Sequence, residues 1–264
     1  MGKIITFGTL KGGTGKTTVV FNTVGILASR GYNVLVVDID PQANITSDLC
    51  VDETVPEYKG IKEVFENDNI NIEEAITKAP LTNFPTLDIM GACMGLTSTE
   101  LRVASVPARE FLIKKKFKKN KEILDRYDYI IFDTNPSMSV INQNSFVVSD
   151  AIVLVSDVGV NALKGIELFI ALWQDISSRL DIDDNIKGLL VNKLDYSKNI
   201  SKEFMEYCTE EEDLRKIIFN NNIAFNEKLP EAELERKPVN ILFSNEEICN
   251  QFNLFVDELV ERVQ

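Results

Sequence analysis

Histidine is absent from this chain of 264 residues. The absence excludes nucleophilic catalysis by Ser-His-Asp or Cys-His groups and metal sites with histidine ligands, so carboxylates, lysines and backbone amides must carry any chemistry. The four cysteines form no C-x-x-C pair, which excludes the usual spacing of zinc and iron–sulfur sites and indicates reduced thiols in a cytosol. They are Cys50, Cys93, Cys208 and Cys249.

Long apolar runs are also missing, since no stretch reaches the length that spans a membrane. The chain begins with the strand-like segment KIITFG and shows no signal-peptide pattern. The first residues match a myristoylation pattern, but Ile4, Ile5 and Phe7 are expected to lie in a buried strand that stays docked. We therefore predict a cytoplasmic protein without a membrane partner.

Positive charge is scarce, and the net charge of −13 argues against a general affinity for nucleic acid or anionic lipid. One basic block is an exception, because residues 114 to 121, KKKFKKNK, contain six lysines in eight positions. We interpret the block as a solvated helix face, with a nucleic-acid contact as the alternative. The lysines of that possible contact are Lys114, Lys115, Lys116, Lys118 and Lys119.

Short apolar runs rich in β-branched residues alternate with helical patterns along the chain. The predicted strands are residues 3 to 8, 33 to 38, 86 to 91, 129 to 133, 151 to 156 and 186 to 192. Predicted helices include residues 17 to 30, 98 to 126, 161 to 179 and 245 to 263. Strands that are apolar on both faces form parallel sheets covered by helices, and ligands bind beyond the carboxyl ends of such strands. We expect one α/β domain over residues 1 to 264, with a doubly wound, mostly parallel sheet.

The segment TFGTLKGGTGKTT, which connects the first strand to the first helix, resembles a phosphate-binding loop. The common pattern G-x-x-x-x-G-K-[ST] requires glycine at position 10, where this chain has Leu10. Gly12, Gly13 and Gly15 still allow the backbone to wrap around phosphate oxygens, and the helix directs its positive end toward them. A glycine turn without function explains neither the lysine that follows nor the strand–loop–helix context. The sequence therefore predicts a variant phosphate loop.

Polar side chains after the glycines complete a nucleotide site. Lys16 is expected to reach the β- and γ-phosphates, and the Thr17 hydroxyl to bind Mg²⁺. Asp38 and Asp40 are expected to end one strand beside the loop and to point the same way under a period of two, so that one can organise Mg²⁺ through water while the other orients the attacking water. Asp133 ends another strand, where a carboxylate can hold the magnesium hydration shell. A single aspartate at a strand end is equally well explained as a helix cap, but three that converge on one loop indicate a site.

The segment KGGTGKTT resembles the deviant Walker A motif of the ParA/MinD superfamily of ATPases, in which position 10 need not be glycine and a signature lysine opens the loop. Similar segments are VVDIDPQANITSDL, YDYIIFDTNPSMS and DAIVLVSDVGVNALKGIELF, so the resemblance covers essentially the whole chain. The DPQ form of the second motif is closer to ParA and Soj partition proteins than to MinD. The chain resembles the short form, which lacks an N-terminal DNA-reading extension.

This resemblance implies a P-loop NTPase that binds ATP and Mg²⁺, dimerises on ATP binding and acts in DNA segregation with a ParB-like or other small adaptor protein. It makes Lys11, Lys16 and Asp40 catalytic, with Lys11 entering the partner's site and Asp40 positioning water. It assigns Mg²⁺ to Thr17, Asp38 and Asp133. Nucleotide contacts fall on Lys11, Gly12, Gly13, Thr14, Gly15, Lys16, Thr17 and Thr18. The alternative function is a nucleotide-switched scaffold that does not bind DNA. If the protein does bind DNA, we expect it to be associated with the nucleoid.

The segment VNKLDY after the last strand is where such folds contact the base, and Asn192 is a candidate to bond a purine edge. N-K-x-D is also the guanine signature of GTPases, so ATP and GTP are alternatives. We favour ATP, because the resemblance spans the chain whereas N-K-L-D spans four residues.

Three segments depart from the family pattern. DTNPS replaces DCPPS, and IAFNEKLPEA replaces IPRN-x-R-x-x-EA, so Phe225 and Lys228 hold the positions of two arginines. Because the two arginines are missing, these changes argue against nonspecific DNA binding. Lys228 is the remaining residue of this segment that could contact DNA. The acidic C-terminal segment is expected to dock on the protein's own core, with Asn245 as its cap. Its apolar stripe consists of Ile248, Phe252, Phe255, Leu259 and Val263.

Overall fold

A parallel sheet of six strands forms the centre of the molecule. In the computed structural model, which describes residues 2–264 and leaves Met1 of the predicted domain outside the described residues, every predicted strand is present to within one residue at each end. The strands are β1 (Lys3–Gly8), β2 (Val34–Asp38), β3 (Leu87–Met90), β4 (Tyr129–Asp133), β5 (Ala151–Ser156) and β6 (Ile186–Val191). Their order is β3-β2-β4-β1-β5-β6, with all neighbours parallel, which confirms the predicted fold class.

Helices cover both faces of the sheet. They are α1 (Lys16–Ser29), α2 (Asn44–Asp48), α3 (Ile61–Glu66), α4 (Leu96–Val103), α5 (Leu112–Lys119), α6 (Lys121–Leu124), α7 (Val140–Val148), α8 (Val160–Arg179), α9 (Asn199–Glu210), α10 (Glu212–Ile217), α11 (Leu229–Leu234), α12 (Val239–Leu242) and α13 (Glu247–Val263). Alternate strand residues enter opposite cores: Ile131 packs with α1 and α13, whereas Ile130 and Phe132 pack with α3 and α5. Within the described chain, none of the helices combines the length and apolarity needed to cross a bilayer.

The prediction of one helix over residues 98 to 126 is wrong, because three shorter helices occupy this stretch. After α4, Pro107 has no backbone N–H to donate, and Ala108 adopts a left-handed conformation with φ 53°. A 3₁₀ turn at Arg109–Phe111 then leads into α5. Asn120 separates α5 from α6, and its side chain donates to the Lys116 carbonyl at 2.9 Å.

The C-terminal helix α13 docks on the core, as predicted from its apolar stripe. All five stripe residues are at most 2% exposed and join the cluster that contains α1. The cap prediction is wrong: the residue before the helix is Glu246, no side chain caps it, and Asn245 lies outside. Burial of the stripe, rather than capping, therefore fixes this helix.

Two glycines provide a test of how tightly the C-terminal region packs on α1. A Cβ on Gly25 would lie 2.5 Å from Pro238 Cγ, whereas a Cβ on Gly165 of α8 would meet no atom within 4 Å. We expect Gly25→Ala to lower the free energy of unfolding by about 1–3 kcal/mol despite alanine's helix propensity. Gly165→Ala, the control, should raise it by up to about 1 kcal/mol. Urea unfolding measures both; equal stabilisation by the two substitutions would contradict the packing.

Candidate functional site

The loop between β1 and α1 surrounds a pocket of about 300 Å³ at the carboxyl edge of the sheet. Gly13 and Gly15 have φ values of 80° and 79°, a conformation that favours glycine. Leu10 does not need glycine's freedom, because it has no positive φ and its side chain packs against the cluster under α8. The pocket is lined by the predicted residues Lys11, Gly12, Gly13, Thr14, Gly15, Lys16, Thr17 and Asp40, together with Thr9, Asn44, Thr134 and Pro136.

Lys16 lies at the start of α1 and is only 6% exposed. Its Nζ donates to Asp133 Oδ1 of the neighbouring strand, and Thr17 Oγ1 donates to Asp133 Oδ2 at 2.8 Å. The strand register aligns Asp133 with Phe7 on one side and Asp38 on the other. The sheet thus brings the loop lysine and the two strand-end carboxylates into one buried cluster.

Asp38 is completely buried beside Asp133. Its carboxylate accepts from Thr46 Oγ1 at 2.6 Å and from the Asp40 amide at 3.0 Å. Burial, reinforced by the charge of Asp133, raises the pKa of Asp38 to about 8. A divalent cation beside these two adjacent carboxylates would compensate their negative charge.

The donor set fits magnesium better than a metal held by protein alone. Among residues 2–264, no three side chains of the Cys, Asp or Glu types come together as a metal cage. Thr17, Asp38 and Asp133 offer hard oxygen atoms, and Mg²⁺ typically takes one or two carboxylates together with water and phosphate oxygens. The predicted metal residues are therefore compatible with an ion that arrives with a phosphorylated ligand.

Asp40 occupies a different position from Asp38. Strand β2 ends at Asp38, so a period of two does not govern the orientation of Asp40, which lies in the following loop and lines the phosphate pocket. Its Oδ1 accepts from the Gln42 amide at 2.9 Å, and burial raises its pKa. A carboxylate held by its own loop at the pocket wall is suited to orient a water molecule.

Lys11 lines the pocket, and its side chain is 41% exposed. Its Nζ contacts both carboxylate oxygens of Asp157, at 2.8 and 2.6 Å, in the loop after β5. Sequence reasoning missed Asp157, although it lies within a quoted family segment. Only its position at the end of a strand next to β1 in the sheet signals the contact.

A second pocket of about 150 Å³ lies behind the loop. Asn192 is buried, and its Nδ2 donates to the Thr14 carbonyl at 2.8 Å, while its Oδ1 has no hydrogen-bond partner. Lys193 Nζ donates to the Gly13 carbonyl at 2.8 Å. Thr18, predicted among the nucleotide contacts, lines this pocket and donates its hydroxyl to Glu233. Phe225 also lines it and is 60% exposed, a feature that sequence reasoning did not interpret.

Side-chain hydrogen bonds hold the DTNPS loop in place. Thr134 Oγ1 donates to the Phe7 carbonyl at 2.8 Å, and Asn142 Nδ2 donates to Asn135 Oδ1 at 2.8 Å. Thr134 and Pro136 line the phosphate pocket. Polar side chains therefore anchor a loop that borders the site.

The lysines considered for DNA contact differ in availability. Lys116 is buried, and its Nζ donates to the Asn67 carbonyl at 2.6 Å and contacts Asp68 at 3.1 Å, so its charge does not face solvent. Lys228 contacts Glu246 at 2.6 Å. The remaining four, Lys114, Lys115, Lys118 and Lys119, are exposed on α5.

Comparison with known proteins gives consistent matches over this chain. A family described as an AAA domain matches residues 2–188. The sporulation initiation inhibitor protein Soj of Bacillus subtilis is 32% identical over 239 residues, which cover 90% of each chain. The chromosome partitioning protein ParA of Myxococcus xanthus is 27% identical over 99% of this chain and 89% of its own.

Solved structures with low sequence identity share the fold. An ATP complex of a substituted variant of Cyanothece McdA has a TM-score of 0.85 at 20% identity, and the match covers 100% of this chain and 98% of that chain. A putative plasmid partition protein from Borrelia burgdorferi, bound to AMPPNP, has a TM-score of 0.77 at 22% identity and covers 99% of each chain.

Proposed function

This chain belongs to the AAA-domain family of Soj/ParA-type ATPases, and on that premise we propose that it is a Mg²⁺-ATP-dependent dimerising switch in DNA segregation. The relatives confirm the resemblance to ParA/MinD-type ATPases that the motifs indicated. In the proposed cycle, nucleotide closes two chains face to face, and slow hydrolysis, stimulated by a ParB-like or other small adaptor, reopens them.

The observation that carries this proposal is the contrast between the two loop lysines. Lys16 is buried and bonded to Asp133, whereas the side chain of Lys11 is 41% exposed and bonded to Asp157. The side chain of a partly exposed lysine can give up its contact within its own chain and extend to the nucleotide of a second chain. There its positive charge would stabilise the negative charge that develops on the transferred phosphoryl group.

The other residues act within their own chain. A triphosphate offers Lys16 a second anionic partner, and Thr17 with the Asp38–Asp133 pair would hold Mg²⁺, which neutralises phosphate charge. Asp40 orients water at the pocket wall. Each of these roles rests on the buried or pocket-lining position of the side chain.

The second pocket favours adenine over guanine. The buried, unpartnered Oδ1 of Asn192 accepts a hydrogen bond from an adenine amino group but opposes the guanine carbonyl oxygen. Asp195, which would have to bind guanine in a GTPase, is occupied by Ser197: its Oδ1 accepts from the Ser197 amide at 3.1 Å and from its hydroxyl at 2.6 Å. Phe225, at the edge of this pocket, is placed to stack on the base.

Competition against a fluorescent nucleotide analogue tests this base site. ATP should displace the analogue at lower concentration than GTP. Phe225→Leu should weaken ATP binding at least about 5-fold, because stacking on a base contributes about 1–3 kcal/mol. Leu101→Ala is the control, since Leu101 is an exposed apolar residue of α4 that does not line the pocket. A preference for GTP would refute the base assignment, and equal effects of the two substitutions would refute stacking.

Mixing two inactive variants tests the two-chain site. Lys16→Ala should lose nucleotide binding, Lys11→Ala should bind ATP without hydrolysing it, and Asp40→Ala should bind and dimerise but stay trapped. In a mixed dimer of the last two, the nucleotide on the Lys11→Ala chain keeps its own Asp40 and receives the partner's intact Lys11. We expect ATPase activity to be recovered on mixing. If Lys11 acts within its own chain, no site is complete and the confirmed heterodimer stays inactive.

A second candidate function is a nucleotide-switched scaffold that positions a protein complex without binding DNA. Its support is the surface at the replaced arginines, where Phe225 carries no charge and Lys228 is paired with Glu246. The net charge of −13 and the burial of Lys116 also favour the scaffold, because both reduce the positive charge available to bind DNA. The segregation proposal depends on the four exposed lysines of α5 and on the relatives' partition names.

DNA binding in the presence of ATP separates the two candidates. If the dimer binds duplex, replacement of Lys114, Lys115, Lys118, Lys119 and Lys228 by glutamine should abolish binding, and binding by the unmodified protein should fall steeply with salt. The control is Lys116→Gln, which removes a buried charge and should leave DNA affinity nearly unchanged in the folded fraction. Absence of ATP-dependent binding by the unmodified protein at low salt would favour the scaffold.

A further inference from the structure

The turn that follows β6 packs against the phosphate loop. Asn192 Nδ2 donates to the Thr14 carbonyl at 2.8 Å, and Lys193 Nζ donates to the Gly13 carbonyl, also at 2.8 Å. The approach is close, because a Cβ on Gly15 would lie 2.5 Å from Asn192 Nδ2 and 3.4 Å from Lys193 Cε. Two consecutive carbonyls of the loop are therefore fixed by residues that lie 178 and 180 positions away along the chain.

These two contacts determine which way the loop amides point. In a trans peptide, the carbonyl and the N–H of the same unit point in opposite directions. Asn192 and Lys193 line the second pocket and are not among the residues that line the phosphate pocket. With the Gly13 and Thr14 carbonyls held toward the second pocket, the N–H groups of Thr14 and Gly15 are turned toward the phosphate pocket. Consecutive amides in this orientation form a backbone anion site.

Lys193 adopts a backbone conformation that lysine rarely takes. Its φ is 57°, in the left-handed region, which costs free energy in a residue with a Cβ. The residue is exposed, yet its side chain extends back to the loop instead of into solvent. A hydrogen bond from a charged donor is stronger than one between neutral groups. The strained turn is thus combined with a charge-assisted contact to the loop.

From these contacts we propose that Lys193 is a positioning residue, which holds the empty loop in the shape that receives phosphates. It acts through the Gly13 carbonyl and not by contact with the ligand. The inference rests on the proposed binding of a triphosphate by the loop, but it depends neither on the dimer nor on the identity of the base. A loop that already has its bound shape binds more tightly, because less conformational freedom is lost when the phosphates arrive.

Calorimetric titration with ATP and with inorganic tripolyphosphate tests this role. Lys193→Met keeps the side-chain length and the backbone strain but removes the charged donor. It should weaken the binding of both ligands at least about fivefold, since tripolyphosphate needs the loop but no base. Lys193→Arg keeps a cationic donor and should restore both affinities to within about threefold. The control is Lys202→Met, on an exposed lysine of α9, which should change neither affinity by more than about twofold.

Hydrogen exchange in the nucleotide-free protein separates positioning from other roles. Lys193→Met should raise the exchange of the amides of residues 10–15 and leave the strands unchanged. The loss of affinity should be the same at low and high salt, because no ion pair with phosphate is removed. A loss that shrinks at high salt, with unchanged exchange in the loop, would make Lys193 a direct phosphate ligand and overturn the proposal. Raised exchange throughout the chain would mark a general loss of stability and would overturn it as well.

The titration also distinguishes this inference from the proposed function. If the unmodified protein binds ATP and Lys193→Met binds it equally well, the positioning role is wrong and the nucleotide site stands. If the unmodified protein binds neither ATP nor tripolyphosphate, the proposed function is wrong, and the positioning role is wrong with it.

Discussion

Two carboxylates buried side by side at the ends of parallel strands are the constraint on which this structure depends. Asp38 and Asp133 are paired by the register of β2 and β4, and both are completely buried. Uncompensated charge at such depth is very costly, so the lysine that starts α1 stabilises the folded protein. The same ion pair attaches the phosphate loop to the centre of the sheet, because Asp133 accepts from both Lys16 and Thr17.

The two lysines of the loop differ in how firmly their own chain holds them. Removing one partner of a buried pair costs about 3–5 kcal/mol, whereas a partly exposed pair contributes about 0–1 kcal/mol. Lys16 belongs to the first class and Lys11, paired with the 23% exposed Asp157, to the second. The lysine that is proposed to enter a partner's site is therefore the one whose release costs little. In the proposed switch, Lys11 would exchange its contact with Asp157 for the phosphates of a partner's nucleotide, and breaking the first contact costs little free energy.

The sequence predicts correctly the elements that depend on local spacing of apolar residues, namely the strands and the docked C-terminal helix. The strands were found because each is apolar on both faces, and α13 docks because its stripe has helical spacing. Pro107 marks the break between α4 and α5, although the helical patterns on either side of it indicate one continuous helix. The Lys11–Asp157 contact joins residues 146 positions apart, and no spacing rule specifies it.

Residues whose role depends on the surface were the hardest to interpret from the sequence. Lys116 lies in a block that looks uniformly solvated, but the helix turns it inward, where Asn67 and Asp68 bind it. Phe225 appears only as a lost arginine until its ring is seen at the edge of a pocket beside Asn192. Neither outcome follows from composition, because both depend on which helix face meets a neighbouring segment.

The negative net charge makes the two proposed interactions, dimer closure and DNA contact, respond to salt in opposite directions. Two chains that each carry −13 repel as they close, and salt weakens that repulsion. Contacts between exposed lysines of α5 and DNA are weakened by the same salt, since counterions compete for phosphate. Nucleotide would add further negative charge to each site, so the proposed closure needs cations at the interface, and Lys11 is a partly exposed lysine that lines the pocket. In the proposed dimer, attraction at the interface would therefore come from a few lysines such as Lys11, while most of the surface stays acidic.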